Sequence, residues 1–369
     1  MSKRTGRGPS AVIAERLTRC RRKIKACGAG AFLVSNHVDY FYLTGFTGEE
    51  SAVMITPREV HLITDGRFTE EIKAEVPWAR SWLRRGFLND EIVKACKELK
   101  IKKLAVQSGH LTVGDHAELK KRNQATRLII APPIVGAMRR LKDDGEVALM
   151  RKAIRVAEDG YTAMLSTIRV GQTELEMAAR LEYEMKRRGA SSPAFPTICA
   201  EGPNAAVPHA HPGLRKVKRG STVLFDWGAQ VGRYCSDLTR VVFVGTIPPK
   251  LGEVYRIVLE AQLAGIAAVK PGRRMCDVDA AARKIIAEAG YGDAFTHGLG
   301  HGLGLDVHEP PSLSFRSKEE LEPGMIVTVE PGIYLPGIGG VRIEDDILVT
   351  PTGGRVLTRL GKKLEDAVV

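Results

Sequence analysis

Residues 143–350 run through the same order of elements twice, two helices and then strands, and that recurrence limits the possible folds more than any other feature of the chain. Asp143 to Glu146 has the spacing of a capping box, in which an N-cap side chain accepts from the third backbone amide and the third residue's carboxylate answers the N-cap amide. A helix to about Arg169 is predicted from it. Thr173-Glu-Leu-Glu176 is a second such box, opening a helix that Gly189 closes. Strand-like stretches FPTICAEG, STVLFDWGAQ and DLTRVVFVG follow. After Pro248-Pro249 the order recurs, with one helix to Pro271-Gly272, another from Asp277 to Gly290, then the strands MIVTVEPGI and VRIEDDILV. Two such halves predict an α+β domain with pseudo-twofold αα-β repeats around one shared core.

Carboxylates interrupt the apolar strands of both halves. Asp226 and Asp237 do so 11 residues apart in the first half, Glu330 and Glu344 14 residues apart in the second. A single Asp near a strand end is commonly a turn residue. Four carboxylates paired by the repeat are harder to explain that way, because burying each is costly unless something positive sits beside it. The nearby arginines are too few, so a divalent metal is the economical counter-charge. The stretch THGLGHGLGLDVHEPP, residues 296–311, then offers an imidazole. A phosphate-binding loop over Gly298–Gly304 would need a helix directly after it, and Asp306 leads to HEPP instead. The glycines at 298, 300, 302 and 304 are expected to let the backbone pass close to the metal and leave one imidazole facing it.

Residues 10–140 read as a separate α/β domain. A basic amphipathic helix over 10–27 ends near Gly28; GAFLVSNHVDYFYLTGF and SAVMITPREVHLITDGRF read as strands and turns, and EEIKAEV and LNDEIVKACKELK as helices. The segment APPIVGAMRRLKDDGE places the boundary, with a second domain over 141–361. At 369 residues and 44% hydrophobic side chains the chain can build two cores. Residues 1–140 hold 26 Lys and Arg against 14 Asp and Glu, which accounts for the whole net charge of +12, since the remaining 29 of each sign cancel. Without aromatic interleaving or an RNA-binding signature, that excess reads as solvated basic surface, and nucleic acid is not an expected partner. Six cysteines with no CxxC pair are usual for a reduced, cytoplasmic protein. No apolar run is long enough for a membrane span, and charges after MSKRTGRGPS argue against a signal peptide.

Four motifs taken in order, FDWGAQVGRYCSDLTR, GLGHGLGLDVHE, EPGMIVTVEPGIY and VRIEDDILV, resemble the catalytic domain of the pita-bread metallopeptidase family, which includes Xaa-Pro aminopeptidase, prolidase and methionine aminopeptidase. The likeness spans roughly residues 143–360. NHVDYFYLTGF and LITDGRF resemble the creatinase-like N-terminal domain of the Xaa-Pro branch. The resemblance implies that Asp226, Asp237, His301, Glu330 and Glu344 hold two divalent ions, Mn²⁺ or Co²⁺ with Zn²⁺ as a further option. Asp237 and Glu344 would be shared by both ions, Asp226 would serve one, and His301 and Glu330 the other. It further implies that His209, ahead of its neighbour His211, stabilises the oxyanion or assists proton transfer, that His308 contacts substrate, and that Glu330 shuttles a proton. Arg342 would hold the bridging Glu344, Phe195 and Ile198 would take the proline ring, and His297 would either support the ligand residues from behind or simply pack.

The implied reaction is cleavage between an N-terminal residue and a following proline, by a homodimer acting on peptides with proline second. An Xaa-Pro dipeptidase is the alternative. The metal-free creatinase branch lacks the full ligand set that this chain has, and a non-catalytic binding protein of the same fold is the remaining rival. Prolidase-like members often carry an arginine shortly after the HE motif to hold a dipeptide's carboxylate. Here that place is Ser312, with Arg316 the nearest candidate substitute.

Overall fold

The computed structural model describes residues 8–369. It separates into two compact units, one ending at Arg139 and the other spanning Arg140–Val369.

The first unit is a six-stranded sheet with flanking helices. In chain order it runs α1 (Ala11–Ala26), β1 (Ala31–Val34), α2 (His37–Thr44), β2 (Ala52–Ile55), β3 (Val60–Asp65), α3 (Thr69–Glu75), β4 (Arg80–Arg84), α4 (Leu88–Glu98), β5 (Lys103–Gln107), α5 (Val113–Arg122), β6 (Arg127–Ala131) and α6 (Ile134–Arg139). The strand order is β4-β3-β2-β1-β5-β6. Gly28 takes φ 68° just beyond α1, a left-handed conformation that a side chain would oppose. The expected strand across NHVDYFYLT is instead the helix α2. The Asn36 side chain accepts from the amides of Val38 and Asp39, and Gly45 at φ 80° closes the other end. Between those caps the aromatic run buries Tyr40, Tyr42 and Leu43, which in isolation look equally suited to a strand.

The second unit opens with α7 (Asp144–Leu165) and α8 (Glu174–Arg187), and both capping boxes are formed. The first helix stops four residues short of Arg169, and Gly189 at φ 102° follows the second. Then come β7 (Ser192–Pro193), β8 (Ile198–Glu201), β9 (Thr222–Trp227), β10 (Ala229–Val231), β11 (Tyr234–Cys235) and β12 (Leu238–Phe243), with β9 central in the sheet β12-β9-β8. Behind that sheet Trp227 stacks on Tyr161 with ring centroids 4.1 Å apart.

The second half repeats the order with α9 (Pro249–Ala268) and α10 (Met275–Glu288), then β13 (Gly300–Gly302), β14 (Glu309–Leu313), β15 (Ile326–Val329), β16 (Gly332–Leu335), β17 (Gly339–Arg342), β18 (Asp345–Thr350) and β19 (Gly353–Val356). Five of these strands form the sheet β14-β13-β15-β18-β19, while β16 and β17 pair as a ribbon. Its core is mostly aliphatic and continues into the first half through Leu224, Val241 and Phe243. MIVTVEPGI and VRIEDDILV are not single strands. Each breaks at its carboxylate, Glu330 lying between β15 and β16 and Glu344 between β17 and β18.

Candidate active site

Those breaks face a cavity of about 740 Å³ in the second unit, and every residue singled out from the resemblance lines it: Phe195, Ile198, His209, Asp226, Asp237, His301, His308, Glu330, Arg342 and Glu344. Asp226 projects from within β9, Asp237 immediately precedes β12, and His301 is the middle residue of β13. Asp237, His301 and Glu344 present ligand atoms that all lie within 4.8 Å of one another. His301 Nε2 stands 3.2 Å from Glu330 Oε1 and 3.5 Å from Asp237 Oδ2. The His308 ring lies 4.3 Å from that of His301, on the more open side.

The glycines around His301 do a different job from the one expected. A methyl on Gly300 would run into the Thr328 carbonyl, and one on Gly302 into the carbonyls of Glu309 and Pro310. They allow β13 to lie tightly against its neighbours, and His301 is held by that packing. Glu309 of the HE pair turns away from the cavity and accepts from the buried Lys142 ammonium at 2.7 Å.

Arg342 does not bond Glu344 directly. Its Nη2 donates to Asp226 Oδ2 at 2.6 Å, its Nε to Thr239 Oγ1 at 3.1 Å and its Nη1 to the Tyr334 hydroxyl at 2.8 Å. Thr239 in turn donates to Glu344 Oε2 at 2.7 Å. His297 joins the network through Nε2, 2.8 Å from the Tyr334 hydroxyl, so it is a supporting residue of the site as well as a packed one. Arg316 is absent from the lining and stacks over Phe315 at 5.1 Å. Ser312 does line the cavity, directly across the β13–β14 register from His301.

Burial and mutual repulsion dominate the electrostatics. Burial, with the charge of Glu344 added, lifts the Asp237 carboxyl well above its usual range; burial and the charge of Glu330 do the same to Glu344. Asp226 is raised by burial in spite of Arg342. Burial also pushes Glu330 upward, but the hydrogen bond and charge of His301 outweigh it and bring that carboxyl down to about 2. Burial lowers His308 and His297. Asp226 Oδ1, Glu344 Oε1 and Asp346 Oδ1 are buried with no hydrogen-bond partner. Orphaned carboxylate oxygens converging on an imidazole are the donor set of a hard or borderline divalent cation.

Residues 148–351 match the model of metallopeptidase family M24, and residues 16–141 that of the creatinase/prolidase N-terminal domain. The chain belongs to metallopeptidase family M24. An M24 chain is a metal-dependent hydrolase, and this one has the family's pita-bread fold. It is similar to the solved Xaa-Pro dipeptidase from Bacillus anthracis, with 39% identity, a TM-score of 0.93, and coverage of 97% of this chain and 100% of that one. The X-Pro aminopeptidase from Thermotoga maritima aligns with 37% identity and a TM-score of 0.87, over 94% and 100% of the two chains. The Xaa-Pro dipeptidase of Pyrococcus horikoshii is 37% identical over 90% of this chain and 94% of its own.

Thr239, Thr328, Tyr334 and Asp346 belong to this M24 site and were not singled out from sequence. Thr328 accepts from the His301 amide and donates to Glu330 Oε1, each at 3.0 Å. Asp346 Oδ2 accepts from the Asp237 amide at 3.3 Å. The acidic run Glu344-Asp345-Asp346 was a usable signal for the last; the hydroxyls had none, because they are ordinary strand residues until the sheets are assembled.

Proposed function

We propose that the chain is an Xaa-Pro aminopeptidase, hydrolysing the bond between an N-terminal residue and a following proline. The observation that carries this reading is the convergence of five ligand-type side chains and four further histidines, His209 and His308 among them, on one cavity with the apolar Phe195 and Ile198 in its wall. Asp226, Asp237, His301, Glu330 and Glu344 would hold two divalent ions, with Asp237 and Glu344 shared. Their oxygen-rich set favours Mn²⁺ or Co²⁺ over Zn²⁺. Such ions act as Lewis acids and make water acidic enough to yield a nucleophile at neutral pH.

The chain's own residues supply the rest. Phe195 and Ile198 seat the proline ring. His209 steadies the carbonyl oxygen as it gains charge, and His308 holds the substrate backbone. The Glu330 carboxylate takes the proton of the attacking water and returns it to the proline nitrogen as the C–N bond breaks. Arg342 keeps Asp226 oriented and, through Thr239, also Glu344.

The dipeptidase alternative draws on the names of the relatives, and residue 312 supports the aminopeptidase reading instead. A dipeptide ends in a carboxylate just past proline, and burying that charge without a cation is costly. Ser312 stands across from His301 with no positive charge, Arg342 is engaged by Asp226, and Arg316 is turned onto Phe315. Hydrolysis of Ala-Pro-Ala and Ala-Pro should be compared under Mn²⁺. A higher kcat/KM for the tripeptide is expected, with Ser312→Arg narrowing or inverting the preference; efficient cleavage of Ala-Pro alone would establish the dipeptidase. We further propose a cytoplasmic homodimer with 10–140 and 141–361 as its domains; the six free cysteines are consistent with a reducing compartment. Among the described residues, no helix is long and apolar enough to cross a membrane.

A further inference from the structure

Acidic and basic residues balance over residues 141–369, yet arginines gather on one face of that unit. A second groove, of about 860 Å³, is bordered by the N-terminal half of α7 and by the β18–β19 hairpin. Arg151 and Arg155 line it from α7, one helical turn apart, and Arg355 and Arg359 line it from the hairpin side. All four are exposed. Asp144 is the one carboxylate in the lining among the described residues, and the ammonium of Lys142 at its margin is taken by Glu309. Among the described residues, Arg151, Arg155 and Arg355 have no carboxylate within ion-pair distance. Unpaired guanidiniums drawn together in a concave surface produce a field that attracts anions more strongly than the same charges spread over a convex one.

The groove's chemistry discriminates between kinds of anion. Val147, Val356 and Leu357 give it an apolar floor, with Val356 39% exposed. No aromatic ring lines it among the described residues, so nucleobases would find nothing to stack on. The strand β19 ends its sheet and pairs with β18 alone, and an edge strand of this kind is where an added extended chain can pair. An extended segment puts alternate side chains on opposite sides, which allows carboxylates to meet guanidiniums while apolar neighbours meet the floor.

We infer that this groove is a docking surface for an extended peptide segment of a partner protein, alternately acidic and apolar, separate from the catalytic cavity. Charge complementarity calls for an anionic partner, and the apolar floor with no stacking surface among the described residues favours an acidic peptide over nucleic acid. The test uses the full-length chain and three fluorescein-labelled probes at low salt: an N-acetylated Glu-Val repeat peptide, its Gln-Val counterpart, and oligothymidylate. Acetylation removes the free amine that a peptidase would act on. The Glu-Val peptide is expected to bind most tightly and to weaken as salt screens the arginines. Arg151→Glu with Arg155→Glu should weaken it about tenfold or more, and Arg355→Glu alone by a smaller factor. Unchanged thermal unfolding of the variants separates this loss from misfolding. Tighter binding of oligothymidylate, equal binding of the Gln-Val peptide, or undiminished binding by folded variants would overturn the proposal.

Discussion

The two halves of the catalytic unit share an order of elements but supply their carboxylates by different means. In the first half Asp226 is part of a continuous strand and Asp237 sits directly at the start of the next, so short side chains suffice. In the second half Glu330 and Glu344 stand where strands break, and the longer side chain reaches the same cavity from outside a strand. The imidazole beside them, His301, comes only from the second half. The repeat therefore accounts for where the cavity lies, whereas its asymmetry accounts for what the cavity can bind. Arg342 ties the halves together, reaching from β17 to Asp226 on β9 and Thr239 on β12.

The sharpest way to break this comparison is to remove from each half the carboxylate proposed to be shared by both ions. Asp237→Ala and Glu344→Ala should each abolish activity together with bound metal, to equal extent, because each leaves the remaining buried carboxylates without compensation. Elemental analysis of the purified variants checks this; a fully active variant, or metal loss in one half only, would mean the halves do not share their ions.

Histidines should separate the halves next. His301→Ala is expected to lose metal. His209→Ala should retain it while kcat falls by about two to three orders of magnitude, the scale of one lost oxyanion donor. Metal analysis beside steady-state kinetics distinguishes the two; metal loss in His209→Ala would reassign that residue.

A smaller effect is expected at the tie itself. Tyr334→Phe leaves Arg342 bonded to Asp226 and Thr239 but removes its third partner and that of His297. Activity should drop by about 10- to 100-fold with metal content held, as for other groups that orient ligands. Unaltered kcat/KM would show that Asp226 and Thr239 alone position the guanidinium.

The smallest effect concerns how each half starts its helices. Both α7 and α8 open on capping boxes, whereas α9 and α10 have no side-chain cap at Pro248 or Arg274. Thr173→Ala should cost about 1 kcal/mol and lower Tm by about 2–4 °C without altering kcat. A calorimetric scan that registers no change would place the stability of α8 in its packing.

What could be read before folding follows from how local each signal is. The capping boxes at Asp143 and Thr173 involve residues three apart, and a carboxylate inside an apolar strand is conspicuous by itself, so the helices and the carboxylates that line the cavity were legible. NHVDYFYLT was misread because its aromatic and β-branched composition suits a strand, and the decisive features are one capping amide group at Asn36 and a glycine at the other end. The glycines of GLGHGLGL were tied to the metal, although what crowds Gly298, Gly300 and Gly302 is the backbone of β14 and β15, and what crowds Gly304 is the Glu309 carboxylate. The Arg342 connection is harder still. It depends on the pairing of β9 with β12 in the register that sets Thr239 opposite Asp226, and no window of sequence contains that.

We propose that side chains from both halves jointly hold two ions that hydrolysis requires. The most direct test of this is a titration of exhaustively chelated protein with Mn²⁺, following cleavage of Ala-Pro-Ala and bound metal together. No activity is expected at the outset, then a rise that saturates at two ions per chain, with no recovery in Asp237→Ala. Full activity in the chelated protein, or saturation at one ion, would contradict it.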